Sequence, residues 1–112
     1  MTLKQAEGPK YTRILSLGAA RGDLTVPNDD LVGPIDSSDE WIRQRTGIIT
    51  RKRASKGVGA IDLAETAANE AISKAGIRPD QIGAVIVSTI SNVAVTPSMA
   101  ALLAEKIGAP IY

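Results

Sequence analysis

The chain has no cysteine, no histidine and no phenylalanine, and only Trp41, Tyr11 and Tyr112 are aromatic among 112 residues. Without cysteine there is no disulfide framework and no thiolate nucleophile. Without histidine there is no imidazole base and no ordinary zinc site. Ser88, Ser91 and Ser98 have no imidazole to activate them, which excludes a serine nucleophile of the usual kind. No apolar stretch approaches bilayer-spanning length and the N-terminus lacks a signal-peptide apolar region, so a soluble cytoplasmic protein without a membrane partner is expected. Chemistry carried by these residues alone would have to use carboxylates, lysines or hydroxyls.

What is present is an ordinary globular composition, 44% hydrophobic, at the size of one domain. Its apolar residues are mostly Ala, Ile, Leu and Val, which suits strands and helices packed in layers. The net charge of +1 hides an asymmetry. Six acidic and no basic side chains lie between Asp23 and Glu40; six basic and no acidic ones (Arg43, Arg45, Arg51, Lys52, Arg53, Lys56) lie between Trp41 and Lys56. Such a basic segment can bind phosphate, but on charge alone the simpler reading is a solvated surface that answers the acidic segment beside it. One aromatic ring near a nearly neutral total charge is a poor basis for nucleic-acid binding.

Periodicity gives an order of elements. Residues 1–10 are polar and expected to fray. TRILSLG, 12–18, alternates and reads as a strand ending at Gly18. Residues 19–36 read as a long excursion with a helical turn at Asp29–Val32. Ser37-x-x-Glu40 fits a capping box for a short helix, with Asp39 and Glu40 at its positive end, Arg43 and Arg45 near its negative end, and Thr46-Gly47 as the stop. Trp41 and Arg45, four apart, share a face of that helix, with Ile42 pointing elsewhere. IITRKRA, 48–54, reads as a strand.

Ile61, Ala64, Ala67, Ala68, Ala71, Ile72 and Ala75 form one stripe of a helix over Ala60–Ala75, closed by Gly76. AVIVSTIS, 84–91, is apolar without alternation at its start, the pattern of a central parallel strand covered on both faces. Asn92–Thr96 reads as a loop, Pro97 as a first helical position, and Gly108 as the cap that ends the helix. APIY opens a further buried strand. The alternation means an α/β layered fold, and two substantial helices are too few to cover both faces of a central strand. The chain therefore looks incomplete as a self-sufficient domain.

Other motifs carry little. Gly57-Val-Gly59 lacks a phosphate loop's glycine pattern, and Arg21-Gly22-Asp23 is too short to inform. Asp29/Asp30 and Asp39/Glu40 are adjacent pairs that suit turns and caps better than a converging catalytic dyad. A lone Trp on a short amphipathic helix is either partly buried packing or a ligand platform, and the residues alone favour packing.

SSDEWIRQRTGI at 37–48, the ITRKRA after it, the alanine-rich helix ending AGI, AVIVSTIS and TPSMAALLAEKIGA resemble, in order and spacing, the N-terminal part of β-ketoacyl-acyl carrier protein synthase III of the thiolase superfamily. The likeness runs from Arg13 to Tyr112, with sequences of the actinobacterial type the most similar, and Asp39–Ile48 is its most specific stretch. The resemblance implies the first part of a thiolase-like αβαβα fold occupying 11–112. It also implies an acyltransferase that starts fatty-acid synthesis by decarboxylative condensation of an acyl-CoA primer with malonyl-acyl carrier protein, working as a homodimer with coenzyme A thioester as substrate and no cofactor or metal. In the family the residue matching Trp41 stacks on the adenine of coenzyme A, and the positions of Ser37, Arg45 and Thr46 surround the nucleotide. Thr96 matches the loop position that reaches the dimer partner's acyl pocket, where its small size would leave room for a bulkier or branched primer. The acyl-carrying cysteine and the histidine and asparagine that assist it have no counterpart here, so this chain alone is expected to be inactive. Two alternatives stand beside this: a non-catalytic acyl-CoA- or nucleotide-binding fragment, and a related ketosynthase III-like enzyme of polyketide or secondary metabolism.

Overall fold

A computed structural model describes residues 11–31, 33, 36–92 and 94–110. Strand β1 (Leu24–Pro27) leads into a single 3-10 turn, Asn28–Leu31, and then helix α1 (Asp39–Thr46). Strand β2 (Thr50–Arg53) returns antiparallel to β1, with Leu24 opposite Arg53 and Pro27 opposite Thr50. Pro27 is tolerated because it stands at the end of a two-stranded ribbon, where one missing donor breaks no inner ladder. The ribbon is tied at its open end by the Asp23 carboxylate, whose Oδ1 accepts from the Ser55 amide at 2.9 Å. That bond holds the Asp23 carboxyl below its ordinary range.

Helix α2 (Ala60–Ala75) and helix α3 (Met99–Ile107) make up the rest, with a short 3-10 turn at Pro79–Gln81 between them. The helix limits follow local chemistry. The Asp62 carboxylate accepts from the Gly59 amide at 2.8 Å, and Gly76 takes the left-handed conformation (φ 66°) that ends α2. In α3 the Ser98 hydroxyl accepts from Ala101 N at 3.2 Å, and Gly108 (φ 72°) closes it. Pro97 thus precedes the cap and is not the first helical residue as expected. The Ser98 hydroxyl, one residue on, is what satisfies the free amide of the first turn.

The core lies where α3 meets α2. Leu103, Ile107 and Ala109 are buried, and Ala64, Ala68, Ile72, Ile82, Val85 and Val87 pack on them. The alanine stripe lets these elements approach closely, and Lys106 spans the outside from α3 to Glu65 (2.7 Å) and Asp62 (3.7 Å) of α2. This core is thin: five apolar side chains are buried among the described residues. The Cα radius of gyration is 19.2 Å, against about 13 Å for a compact chain of roughly 100 residues.

Two expected strands do not pair. Residues 12–18 and 84–91 form no ladder, and the one sheet among the described residues is the antiparallel β1–β2 ribbon, where an alternating parallel sheet was expected. The physical reason is that both segments lie on helix surfaces. Ser16 Oγ donates to Ala71 O at 2.7 Å and Ala19 N donates to Glu70 Oε2 at 2.8 Å, so the first segment lies along α2. Val85 and Val87 turn inward while Ile86 and Ile90 stand 92% and 102% exposed, a period-two pattern with only one face covered. Among the described residues neither segment is hydrogen-bonded into a ladder along its edges. The two segments border one cleft of about 390 Å³ over α2, lined by Gly18, Ala67 and Val87 among others.

Smaller differences have equally local causes. β1 lies inside the expected excursion, and β2 is shorter than the 48–54 expected from the apolar-basic run. The helical turn falls at Asn28–Leu31 in place of Asp29–Val32, and Val32 lies outside the described residues. The expected frayed segment 1–10 and the last two residues of APIY are also outside them; Ala109 is buried but belongs to no strand.

Candidate functional site

Helix α1 is eight residues long and is specified almost residue by residue. Ser38, in extended conformation, is its N-cap, and its hydroxyl accepts from Trp41 N at 3.1 Å. The expected cap, Ser37, is one residue too early. Its hydroxyl oxygen is instead buried without a hydrogen-bond partner among the described residues. Asp39 and Glu40 lie in the first turn, Arg43 and Arg45 in the last, and Gly47 at φ 70° ends the helix through a bond from its amide to Arg43 O. Asp39 pairs with Arg43 at 3.1 Å, and Gln44 donates to Glu40 at 3.0 Å.

This helix buries Ile42 and presents Trp41 outward at 52% exposure. The Arg45 guanidinium carbon sits 4.7 Å from the indole centroid, a cation–π pair on open surface. The pair offers a flat ring face beside a planar fork of donors. Thr46 is next to it, but its hydroxyl is engaged: Oγ1 donates to Ile42 O at 2.7 Å and accepts from Ile48 N at 3.1 Å. Trp41, Arg45 and Thr46 are thus brought together, with Ser37 just before the helix. Thr96 is exposed in the loop before α3, on a different element, and no hydrogen bond or ion pair among the described residues joins it to α1.

The sequence reading missed what holds α1 in place. Asn28 is 1% exposed, and its amide nitrogen donates to Asp39 Oδ1 at 2.7 Å and to Ile48 O at 2.8 Å. Its carbonyl oxygen accepts from Arg51 Nη2, whose other nitrogen donates to Val26 O at 3.3 Å. Asn28 reads as a turn residue in NDDL, and nothing in its neighbours announces burial. The only hint is Arg51, which alternation along β2 places on the opposite face from Lys52. No group of three or more metal-ligating side chains occurs among the described residues, and no described helix is long and apolar enough to cross a membrane.

No family model matches the chain. Individual proteins do. It is 52% identical over 99 residues to the β-ketoacyl-[acyl-carrier-protein] synthase III of Tropheryma whipplei, covering 88% of this chain and 31% of that protein. The crystal structure of 3-oxoacyl-[acyl-carrier-protein] synthase III from Aquifex aeolicus superposes with a TM-score of 0.80 at 32% identity, over 88% of this chain and 32% of that one. A priming β-ketosynthase of a polyketide biosynthetic pathway gives the same TM-score at 35% identity, over 87% of this chain and 29% of that one. The chain spans about a third of the length of the curated relatives it matches. Its mixed helix and strand elements therefore correspond to the first part of a thiolase-like α/β fold, and by sequence and structure alike the chain is homologous to the N-terminal part of β-ketoacyl-[acyl-carrier-protein] synthase III.

Proposed function

We propose that these residues form the coenzyme A side of a β-ketoacyl-acyl carrier protein synthase III, an acyltransferase that joins an acyl-CoA primer to malonyl-acyl carrier protein with loss of carbon dioxide. The observation that carries the reading is the outward pair on α1, an indole 52% exposed with a guanidinium 4.7 Å above it. A ring so placed stacks on adenine for about 1–3 kcal/mol per base, and an arginine fork beside it suits a phosphate. Exposing the sole tryptophan of a chain so poor in aromatics has a cost in lost burial, which a nucleotide offsets when it covers the ring. Thr46 and Ser37 border the nucleotide; Thr46 meets it only through the lone pair its two bonds leave free.

Coenzyme A is here a substrate, and no metal or cofactor takes part. Thr96 contributes to the acyl pocket of the second subunit of a homodimer. The work is done in the cytoplasm, with no nucleic acid or membrane as partner. Lacking cysteine and histidine, these 112 residues hold no thiol for the acyl group and no imidazole to assist it, and by themselves are expected to turn over no substrate. A second reading is priming of polyketide rather than fatty-acid chains, since a polyketide priming ketosynthase is 35% identical. Because Trp41 is the only tryptophan, its emission reports on this site alone. Titration with coenzyme A is expected to quench it saturably and to do so far less in Arg45→Ala; unchanged emission in the wild-type chain at millimolar coenzyme A contradicts the reading.

A further inference from the structure

We propose that Asn28 is the positioning residue of the nucleotide-docking helix, an inference that rests on the reading of Trp41 and Arg45 above. Asn28 lies at the end of the ribbon, in the turn after β1, and is the most deeply buried polar side chain described. Its two amide hydrogens go to opposite ends of α1: one to Asp39, the first helical residue, the other to the carbonyl of Ile48, just past the Gly47 cap. Its oxygen is held by Arg51 of β2, and Arg51 is in turn fixed to Val26 of β1. One amide therefore ties both ends of a short helix to the β1–β2 ribbon.

The only inward apolar anchor of α1 is Ile42. Apolar contact is not directional, so it limits how far the helix stands off but not how it is turned. Each residue turns about 100° around the axis. A modest rotation would therefore swing the Trp41–Arg45 face away from its ligand. The two bonds from Asn28 oppose that rotation. Only an amide on a short stem offers two donors and an acceptor here; aspartate would set a carboxylate against Asp39 and a carbonyl, and alanine would leave three groups unpartnered. The Asp39 carboxylate is engaged on its other oxygen by Arg43 at 3.1 Å, so the network runs Arg51, Asn28, Asp39, Arg43.

Two readouts test this on the full chain: the anisotropy of Trp41 emission without ligand, and coenzyme A affinity. Asn28→Ala is expected to lower the anisotropy and to weaken coenzyme A about tenfold, the equivalent of about 1.4 kcal/mol. Asn28→Asp is expected to be as impaired at neutral pH and to recover in part under acid, where the new carboxyl is protonated and regains a donor. If Asn28→Ala does not fold by circular dichroism, Asp39→Ala decides: its side chain is 36% exposed, and it should show the same two losses, whereas Arg43→Ala, which removes only the outer ion pair, should show neither. A folded Asn28→Ala within twofold of wild type in affinity with unchanged anisotropy overturns the proposal, as does Arg43→Ala matching Asp39→Ala. If the wild-type chain takes no coenzyme A at all, the functional reading fails, and the anisotropy alone decides on Asn28.

Discussion

Replacing Ile86 and Ile90 together by threonine is a severe change in a core strand and should be almost silent here. Their side chains are 92% and 102% exposed, so folding gains next to nothing from them. Threonine keeps the β-branched stem and the preference for extended backbone. The expected loss in unfolding free energy is within about 0.5 kcal/mol, the range of ordinary surface substitutions. Were the face covered, each isoleucine would forfeit roughly 1.5–3 kcal/mol of burial, so the pair would cost about 3–6 kcal/mol. Val85 and Val87 alternate with them on the inner side against Leu103 and Ile107, and Val87→Ala should cost about 1–3 kcal/mol. Urea denaturation compares the three proteins, and binding of the dye ANS reports the exposed face directly. The isoleucine pair should bind ANS in the wild type and lose it in the double variant, with the midpoint unmoved. A fall of about 2 kcal/mol or more in the double variant would show the face to be buried.

Gly18→Ala should detach the segment that lies on α2. A Cβ there would collide with Ala67 O and stand 2.8 Å from Ala71 N, both backbone atoms that cannot turn aside. Overpacking of this kind costs about 1–3 kcal/mol. Gly83→Ala, with nothing within 4 Å, is the control expected to leave stability unchanged. Acid should loosen the same contact: Glu70, holding Lys74 and the Ala19 amide, has its carboxyl lowered in the folded chain, chiefly by Lys74 and then by Ala19. Its contribution is complete above the ordinary glutamate range and disappears as pH falls through the lowered value, so the protection of the Ala19 amide against hydrogen exchange, taken relative to its intrinsic rate at each pH, should fall there. Lys106 runs the other way, raised chiefly by Glu65. Its tie between α2 and α3 is complete below the ordinary lysine range and is lost as pH rises through the raised value, which melting at strongly alkaline pH checks.

What the sequence made legible is what local rules decide. Helix α2 was readable to the residue because alanine spacing and Gly76 act within a few turns. Trp41 and Arg45 were readable as neighbours because four-residue spacing is fixed by the helix itself. The Ser37 and Ser38 alternatives differ by one residue in a run of two identical side chains, and only the backbone, extended at Ser38, separates them. The ladders were not legible, since pairing depends on which segment lies alongside. Alternation at 84–91 shows in burial, yet no strand among the described residues pairs with it. Asn28 was the least legible of all. Its three partners are 11, 20 and 23 residues away, and a turn asparagine looks the same whether it faces water or holds a helix.

The central claim is contact between the α1 indole and an adenine. Intermolecular NOEs between the adenine protons of coenzyme A and the Trp41 ring measure it directly in the unmodified chain. NOEs are expected from both adenine carbon-bound protons to the indole, lost in Arg45→Ala as the phosphate grip goes. Adenine NOEs confined to the cleft around Val87 and Met99, or none at saturating ligand, would contradict it.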